Sequence, residues 1–379
     1  MKVIFLGCTN NYGHGFSANV TKISLVARGL KEMGANCIIH NGIEGYPGLK
    51  AVEDVEYNGS RTITYKCYGH KLVSWIFNIR KLYTFLRTEK KQDDNNVLIL
   101  ELPFYHIFLV YVLLARILKY KIVDISHEWG PTVTSEKIIK KPSLWLFAKT
   151  FGWMVDGILP ISEYIIKKIS HFGKPYLKLP ILSDFSDSIN TSVITENKFV
   201  YCASVYYDRI IYKIIDAFHL YNKFGGSYNL ILVLNGPLYL QNKVKAYIEK
   251  CSLTDRIQVQ TNLPYKTLYN TFETASALLI PLDPKCEQDS ARFSQKIAEY
   301  LSSKTPIITN NVGEICHYFS DNEVIKCDYT EEAFSQAFKW VEHNKETAKQ
   351  IGLNGYNRGK LSFDYLSNAK KLYSFLQKI

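Results

Sequence analysis

The chain has 379 residues, 47% apolar and 21% charged, a globular composition with enough length for two domains. Lys and Arg outnumber Asp and Glu by 46 to 35, and positions 1–189 hold 24 basic against 16 acidic residues, so most of the net charge of +11 lies in the first half and suits anionic partners. The eight cysteines form no Cys-any-any-Cys pair and have no histidine at zinc spacing, which excludes a disulfide scaffold or zinc module and reads as reduced, mostly packed thiols.

In chain order, the opening apolar run VIFLG is far shorter than a signal-peptide core. The most apolar stretch, 103–120, carries His106 and Arg116, is too short to span a bilayer and is expected to be a buried helix. A cytoplasmic protein, resting at most on the inner face of the cell membrane, is the expectation. Short β-branched runs alternate with amphipathic stretches throughout, the pattern of parallel sheets with crossover helices. The first set of strands is expected at 2–7, 36–42, 62–68, 96–102, 121–126 and 157–162, with helices such as 18–34 and 71–91 between them. The second set is expected at 198–204, 229–236, 257–263, 277–282, 305–311 and 322–328.

Each set predicts a doubly wound, Rossmann-like α/β domain: one over 1–185 and one over 196–361, with the amphipathic segment 362–379 able to pack back on the first. The stretch 181–197, rich in Ser, Asp, Asn and Thr, reads as the linker. Ligands of such sheets bind beyond the carboxyl ends of the strands, so a cleft between the domains is expected.

The strongest local signal is RFSQKIAEYLSSKTPIITNNVGEI (292–315): a helix, a turn, a strand and a glycine-containing loop. Lys296 and Glu299 stand three apart on one helical face. A carboxylate there can accept hydrogen bonds from the vicinal hydroxyls of a ribose while a cation neutralises a pyrophosphate, although such a pair is more often a solvated helix face. The run Lys296, Glu299, Tyr300, Leu301, Pro306 and the strand IIT, followed by Val312-Gly313-Glu314, resembles the donor-binding motif of nucleotide-sugar glycosyltransferases of GT-B fold, particularly the retaining family 4. The resemblance implies that Glu299 holds the ribose, Lys296 sits near the donor phosphates and the loop at Gly313 lines the pocket. The sequence departs from that family where a second glutamate would contact the donor sugar: the position is Ala291, and Asp289 is the nearest carboxylate.

FVYCASVYYDRIIYKIIDAF (199–218) resembles the first strand and helix of the same family's nucleotide domain. Arg209 falls where those enzymes keep a cation against the leaving diphosphate, and Ser204 takes the place of its partner arginine. An arginine at a helix N-terminus is unfavourable for the dipole unless an anion sits between them, which fits a phosphate site and equally a surface residue. In the first domain His127 directly follows a strand, as does the cleft histidine of family 4, though a lone histidine is also a common structural residue. The loop TNNYGHGFSAN (9–19), with Gly13, His14 and Gly15, follows the first strand as the family's acceptor-side loop does, and its glycines allow close backbone approach to a ligand.

No Walker A loop, His-Glu-any-any-His, Gly-any-Ser-any-Gly elbow or Asp-any-Asp pair is present, so no metal and no cofactor is called for. The resemblance implies a glycosyltransferase moving a sugar from a UDP- or GDP-sugar to a hydroxyl, with retention, in bacterial surface polysaccharide synthesis (capsule, O-antigen or exopolysaccharide). The acceptor is expected to be a glycan or lipid-linked glycan. The basic stretch 71–91 suits contact with an anionic membrane, or is a core-packed helix with a wet basic face. Two alternatives stay open: an epimerase of sugar nucleotides with the same fold, and a catalytically degenerate protein that binds a nucleotide sugar or a partner enzyme. Nucleic acid is not an expected partner, because the aromatics are not interleaved with the basic residues in one strip.

Overall fold

The structure, a computed structural model, describes residues 1–7, 18–57, 59–90, 95–101, 105–133, 141–186 and 195–379. Two compact units result: Met1–Asp184 with Ala291–Gln295 and Phe363–Ile379, and Phe185–Ser290 with Lys296–Ser362.

The first unit has a seven-stranded sheet of β1 (Lys2–Leu6), β2 (Asn36–His40), β3 (Glu53–Tyr57), β4 (Ser60–Thr64), β5 (Asn96–Leu100), β6 (Lys121–Ser126) and β7 (Gly157–Pro160), ordered β3-β4-β2-β1-β5-β6-β7. All neighbours are parallel except β3 and β4. The strand expected at 62–68 is therefore shifted to Ser60–Thr64 and forms a hairpin with β3, which the hydrophobic pattern concealed. EDVEY is acidic and mostly exposed, the character of an edge strand that resists further pairing.

The helices are α1 (Ala18–Glu32), α2 (Lys71–Glu89), α3 (Tyr105–Ile117), α4 (Lys141–Met154) and α5 (Glu163–Ile169). The chain steps one way along the sheet through α1 and the other way through α2, α3 and α4, so right-handed crossovers set α1 on one face and those three on the opposite one. The expected buried helix at 103–120 is α3, and it is only half buried. Ile107, Phe108, Tyr111 and Leu114 pack inward while Leu109, Leu113 and Ile117 face solvent, because a helix in an outer layer has only one side against a sheet.

On the α1 face lies α14 (Tyr365–Lys378). A Cβ on Gly29 would meet the Ala369 Cβ at 2.5 Å, so the glycine permits the close crossing. Leu372 and Leu376 enter the core between Val3, Phe5 and Ile23, and Arg28 lies over the Tyr365 ring at 4.0 Å. Residues 181–185, expected as loose linker, are instead packed. Ile181 and Leu182 are buried, Ser183 pairs with Asp364, and Phe185 fills the space beside Gly359. Polar composition misled here because the apolar members of the stretch are the ones that dock; 187–194 lie outside the described residues.

The second unit has an all-parallel six-stranded sheet of β8 (Lys198–Ser204), β9 (Asn229–Asn235), β10 (Ile257–Gln260), β11 (Ala277–Ile280), β12 (Ile307–Thr309) and β13 (Ile325–Lys326), ordered β10-β9-β8-β11-β12-β13. The strands expected at 305–311 and 322–328 shrink to three and two residues. Its helices are α6 (Asp208–Lys223), α7 (Leu238–Lys250), α8 (Tyr265–Glu273), α9 (Glu287–Ala291), α10 (Gln295–Ser302), α11 (Ile315–Tyr318), α12 (Glu331–His343) and α13 (Lys345–Phe363). Phe199, Phe218, Tyr221 and Phe338 form an aromatic core in which Phe199 and Phe338 stack at 4.6 Å. The seven cysteines among the described residues are free thiols; Cys37 and Cys202 are buried, Cys316 is exposed and the rest are half-buried, so fewer are packed away than the sequence suggested.

Candidate functional site

In the second sheet, strand order reverses between β8 and β11, and it is at the carboxyl ends of strands at such a switch point that open α/β sheets bind ligands. The sequence-predicted residues of this unit lie on the elements that meet there. Arg209, in the first turn of α6, reaches the loop after β11, where its guanidinium forms a 2.7 Å ion pair with Asp283. The anion that the helix-dipole argument required beside Arg209 is thus a carboxylate of the protein itself. Arg209 remains largely exposed while Asp283 is almost fully buried, so the arginine is the movable partner.

Asp289, on α9, is buried, and its carboxylate accepts the Asp283 backbone N–H at 2.9 Å. It shapes the loop that carries the Arg209 partner. Ser204 ends β8, and its hydroxyl accepts from the Tyr206 N–H, capping the short helical turn 205–207. Gly313 sits in the loop after β12 with φ +56°, and a Cβ there would lie 3.0 Å from the Asp289 carbonyl. Only glycine lets that loop lie against α9 without strain.

Lys296 and Glu299 share one face of α10, next to Cys202 near the end of β8. The Tyr300 hydroxyl accepts the Cys202 N–H at 3.2 Å and seats the helix on the strand. Glu299 keeps part of its surface open, yet burial around its carboxyl pushes it up to about 7, against the pull of Lys296. A carboxyl poised there switches between one acceptor-only form and one that also donates, which suits vicinal hydroxyls.

The first sheet reverses order between β1 and β5, and a second cluster lies at those strand ends. His127, just after β6, is mostly buried, with Nδ1 3.1 Å from Glu101 Oε1. Glu101, expected inside a strand, follows the end of β5 and also accepts from Asn19 of α1 at 2.6 Å. Lys22, on the same helix, donates to the Leu179 carbonyl at 3.0 Å, and burial brings its ammonium down to about 7 although Glu101 opposes the change. His127 is likewise held below its usual value, first by burial and further by Lys22, with Glu101 opposing. A neutral imidazole donating Nδ1–H to Glu101 leaves Nε2 as a lone-pair acceptor, and that atom has no partner among the described residues. Behind it, burial lifts Asp124 to about 7, and Ser126 donates to its carboxylate.

Sequence reasoning missed Glu101, Lys22 and Asp283. Glu101 was findable, since it ends a buried apolar strand at a carboxyl edge, as His127 does; Lys22 looks like any surface lysine of an amphipathic helix. Gly13, His14 and Gly15 lie outside the described residues. Ala291 is buried, and its carbonyl accepts from Ser162 at 2.6 Å. Among the described residues no three His, Cys, Asp or Glu side chains converge to hold a metal ion, and no helix is long and apolar enough to cross a membrane.

Residues 184–358 match the family model for glycosyl transferases group 1. No curated protein sequence matches the chain. Among solved structures, a sucrose-phosphate synthase from Thermosynechococcus elongatus superposes with TM-score 0.76 at 12% identity, covering 100% of this chain and 98% of that one. HepE of Anabaena, in complex with UDP and glucose, gives TM-score 0.76 at 10% identity with 100% of both chains covered. A glycosyltransferase from Rickettsia africae gives 0.72 at 12%, covering 100% and 98%. Arg209, Asp283, Asp289, Lys296, Glu299 and Gly313 all fall inside the matched segment. Residues 184–358 therefore match the glycosyl transferases group 1 model, and the whole chain shares the GT-B fold of these glycosyltransferases.

Proposed function

We propose that the protein transfers a sugar from a UDP- or GDP-sugar to a hydroxyl of a glycan carried on a lipid at an anionic membrane surface, with retention, in the synthesis of a bacterial surface polysaccharide. The observation that supports the donor half of this reading is that Lys296 and Glu299 share one face of α10 beside Cys202 near the end of β8, while Arg209 reaches the loop after β11, the neighbouring strand. Glu299 takes the ribose hydroxyls, and Lys296 with Arg209 neutralises the diphosphate, Arg209 turning from Asp283 to the stronger anion. HepE, crystallised with UDP-glucose at 10% identity, supports a nucleotide-sugar donor.

In the transfer, the acceptor oxygen bonds to the anomeric carbon as the bond from that carbon to the diphosphate breaks. The electron pair passes to the phosphate oxygen, which takes the acceptor's proton, so the two cations do most of the catalytic work by stabilising charge. No metal enters this scheme. His127, oriented by Glu101, accepts a hydrogen bond at Nε2 from a substrate hydroxyl.

Calorimetry with UDP, GDP and their sugar conjugates in EDTA tests the donor site. Glu299→Ala and Arg209→Ala are each expected to weaken binding by about 1–3 kcal/mol, the scale of a lost charge-assisted hydrogen bond. Binding that ignores both substitutions overturns the assignment. Product analysis with and without acceptor glycans separates transfer from epimerisation.

A further inference from the structure

On the side of the first sheet that bears α2, α3 and α4, the helices present large apolar side chains that are exposed among the described residues. The three helices form one layer. Trp75 of α2 lies tilted against His106 of α3 at 5.1 Å, and Phe108 of α3 meets Phe147 of α4 edge-on at 5.1 Å. Their inner sides are filled by buried residues such as Leu82, Tyr111 and Phe151. Their outer sides should then be polar. Instead, Ile76 is 70% exposed and Phe77 54% on α2, Leu113 is 61% and Ile117 57% on α3, and Trp145 is 57% and Trp153 60% on α4. Monomeric proteins rarely gather so many exposed large apolar residues on one face.

Charge identifies the occupant. The three helices carry seven basic residues and one acidic one, and that one, Glu89, is bound to Lys2 and Arg61 at the far end of α2. Arg80, Arg87, Lys141 and Lys149 are exposed, and Lys149 lies 5.8 Å over the Trp145 ring. A second copy of the chain would set these cations against their own equivalents. Outward tryptophans, aliphatic side chains and cations on one layer match the boundary of an anionic bilayer, where rings sit among headgroups and cations meet phosphates. At 13 residues, α3 is about 20 Å long, short of the roughly 30 Å hydrocarbon core, so the face would lie on the membrane without crossing it.

We propose that the outer face of α2, α3 and α4 docks the protein on an anionic lipid bilayer through Ile76, Phe77, Trp145 and Trp153 and the cations among them. This deepens the reading of a lipid-carried acceptor and rests on it only for its purpose, since docking can be measured without turnover.

The test is co-flotation of the full chain with phosphatidylcholine vesicles with and without phosphatidylglycerol, at low and high salt. Binding to the anionic vesicles, weakened by salt and with a blue shift of tryptophan emission, is expected. The double variants Ile76→Glu/Phe77→Glu and Trp145→Ala/Trp153→Ala should each lower the partition coefficient at least about tenfold. All four side chains are more than half exposed, although Trp153 also meets the Phe172 ring at 5.2 Å and Phe77 the Tyr68 ring at 5.3 Å; in a variant that keeps wild-type melting temperature and UDP affinity, loss of flotation belongs to the face itself. Absence of binding, equal binding to neutral vesicles, binding that both variants retain, or a solution dimer that the same variants abolish would each overturn the proposal. Failure of UDP binding to respond to Glu299→Ala, by contrast, would strike the donor-site reading and leave the docking face standing.

Discussion

At the residue scale, the proposed function turns on two carboxylates. Glu299 is pushed up to about 7 by burial, so in the empty protein it is half protonated near neutrality. Nucleotide affinity is expected to rise with pH through that range as the acceptor-only form takes over, and Glu299→Gln should remove the rise that the nucleotide's own ionisation does not explain; calorimetry across pH 5.5 to 8.5 would read it, on the order of one pKa unit either side of the midpoint. On the proposed function, Glu101 acts through His127, whose Nδ1 lies 3.1 Å from it. Its negative charge opposes the burial that lowers the imidazole, so Glu101→Gln should move the acid limb of the kcat/KM profile to lower pH, reduce turnover about tenfold or more, and leave nucleotide affinity unchanged. An unmoved limb would make Glu101 a packing residue only. Lys296 and Glu299 were legible in the sequence because three-residue spacing alone puts them on one helical face. The Arg209–Asp283 pair was not, because its members are 74 positions apart and meet only when β8 and β11 become neighbours.

At the scale of elements, the parallel strands of both sheets were readable because burial on two sides produces continuous apolar runs such as KVIFL and NLILVLN. Strand β3 escaped the same logic, since an edge strand shows its charges to water. Helix α2 shows a second limit: its outward residues include Leu72, Ile76 and Phe77 as well as Arg80 and Arg87, so the expected wet basic face is in part apolar. The Gly313 turn between β12 and α11 carries its own prediction. Gly313→Ala would have to hold φ +56° with its Cβ 3.0 Å from a backbone oxygen, and should cost about 1–3 kcal/mol by chemical denaturation while loosening the loop beside Asp289. A neutral result would show that the loop can move off α9 freely.

For the whole molecule, the sequence expectation of two doubly wound domains came from counting strand runs, but the composition of each unit depends on contacts that no local pattern displays. Tyr365 donates to Glu32, 333 positions earlier, and Asn95 donates to the Leu376 carbonyl across 281. Removing residues 363–379 should therefore destabilise the first unit even though they lie far from it in sequence. Leu372→Ala, at a fully buried position, should cost about 2–5 kcal/mol, read as an earlier loss of the first unit's structure with the second unit's nucleotide binding preserved at low denaturant.

The assembly of the first unit from three separate stretches also bears on how the protein is made. Residues 1–184 leave the ribosome with the α1 side of their sheet uncovered, and the segment that covers it follows only after the whole of 185–362 has been synthesised. At about 5–20 residues per second that interval is roughly ten to forty seconds. The unit begun first is finished last, so Ile23, Leu30 and their neighbours stay open to chaperones, or to the wrong partner, until translation has passed residue 376.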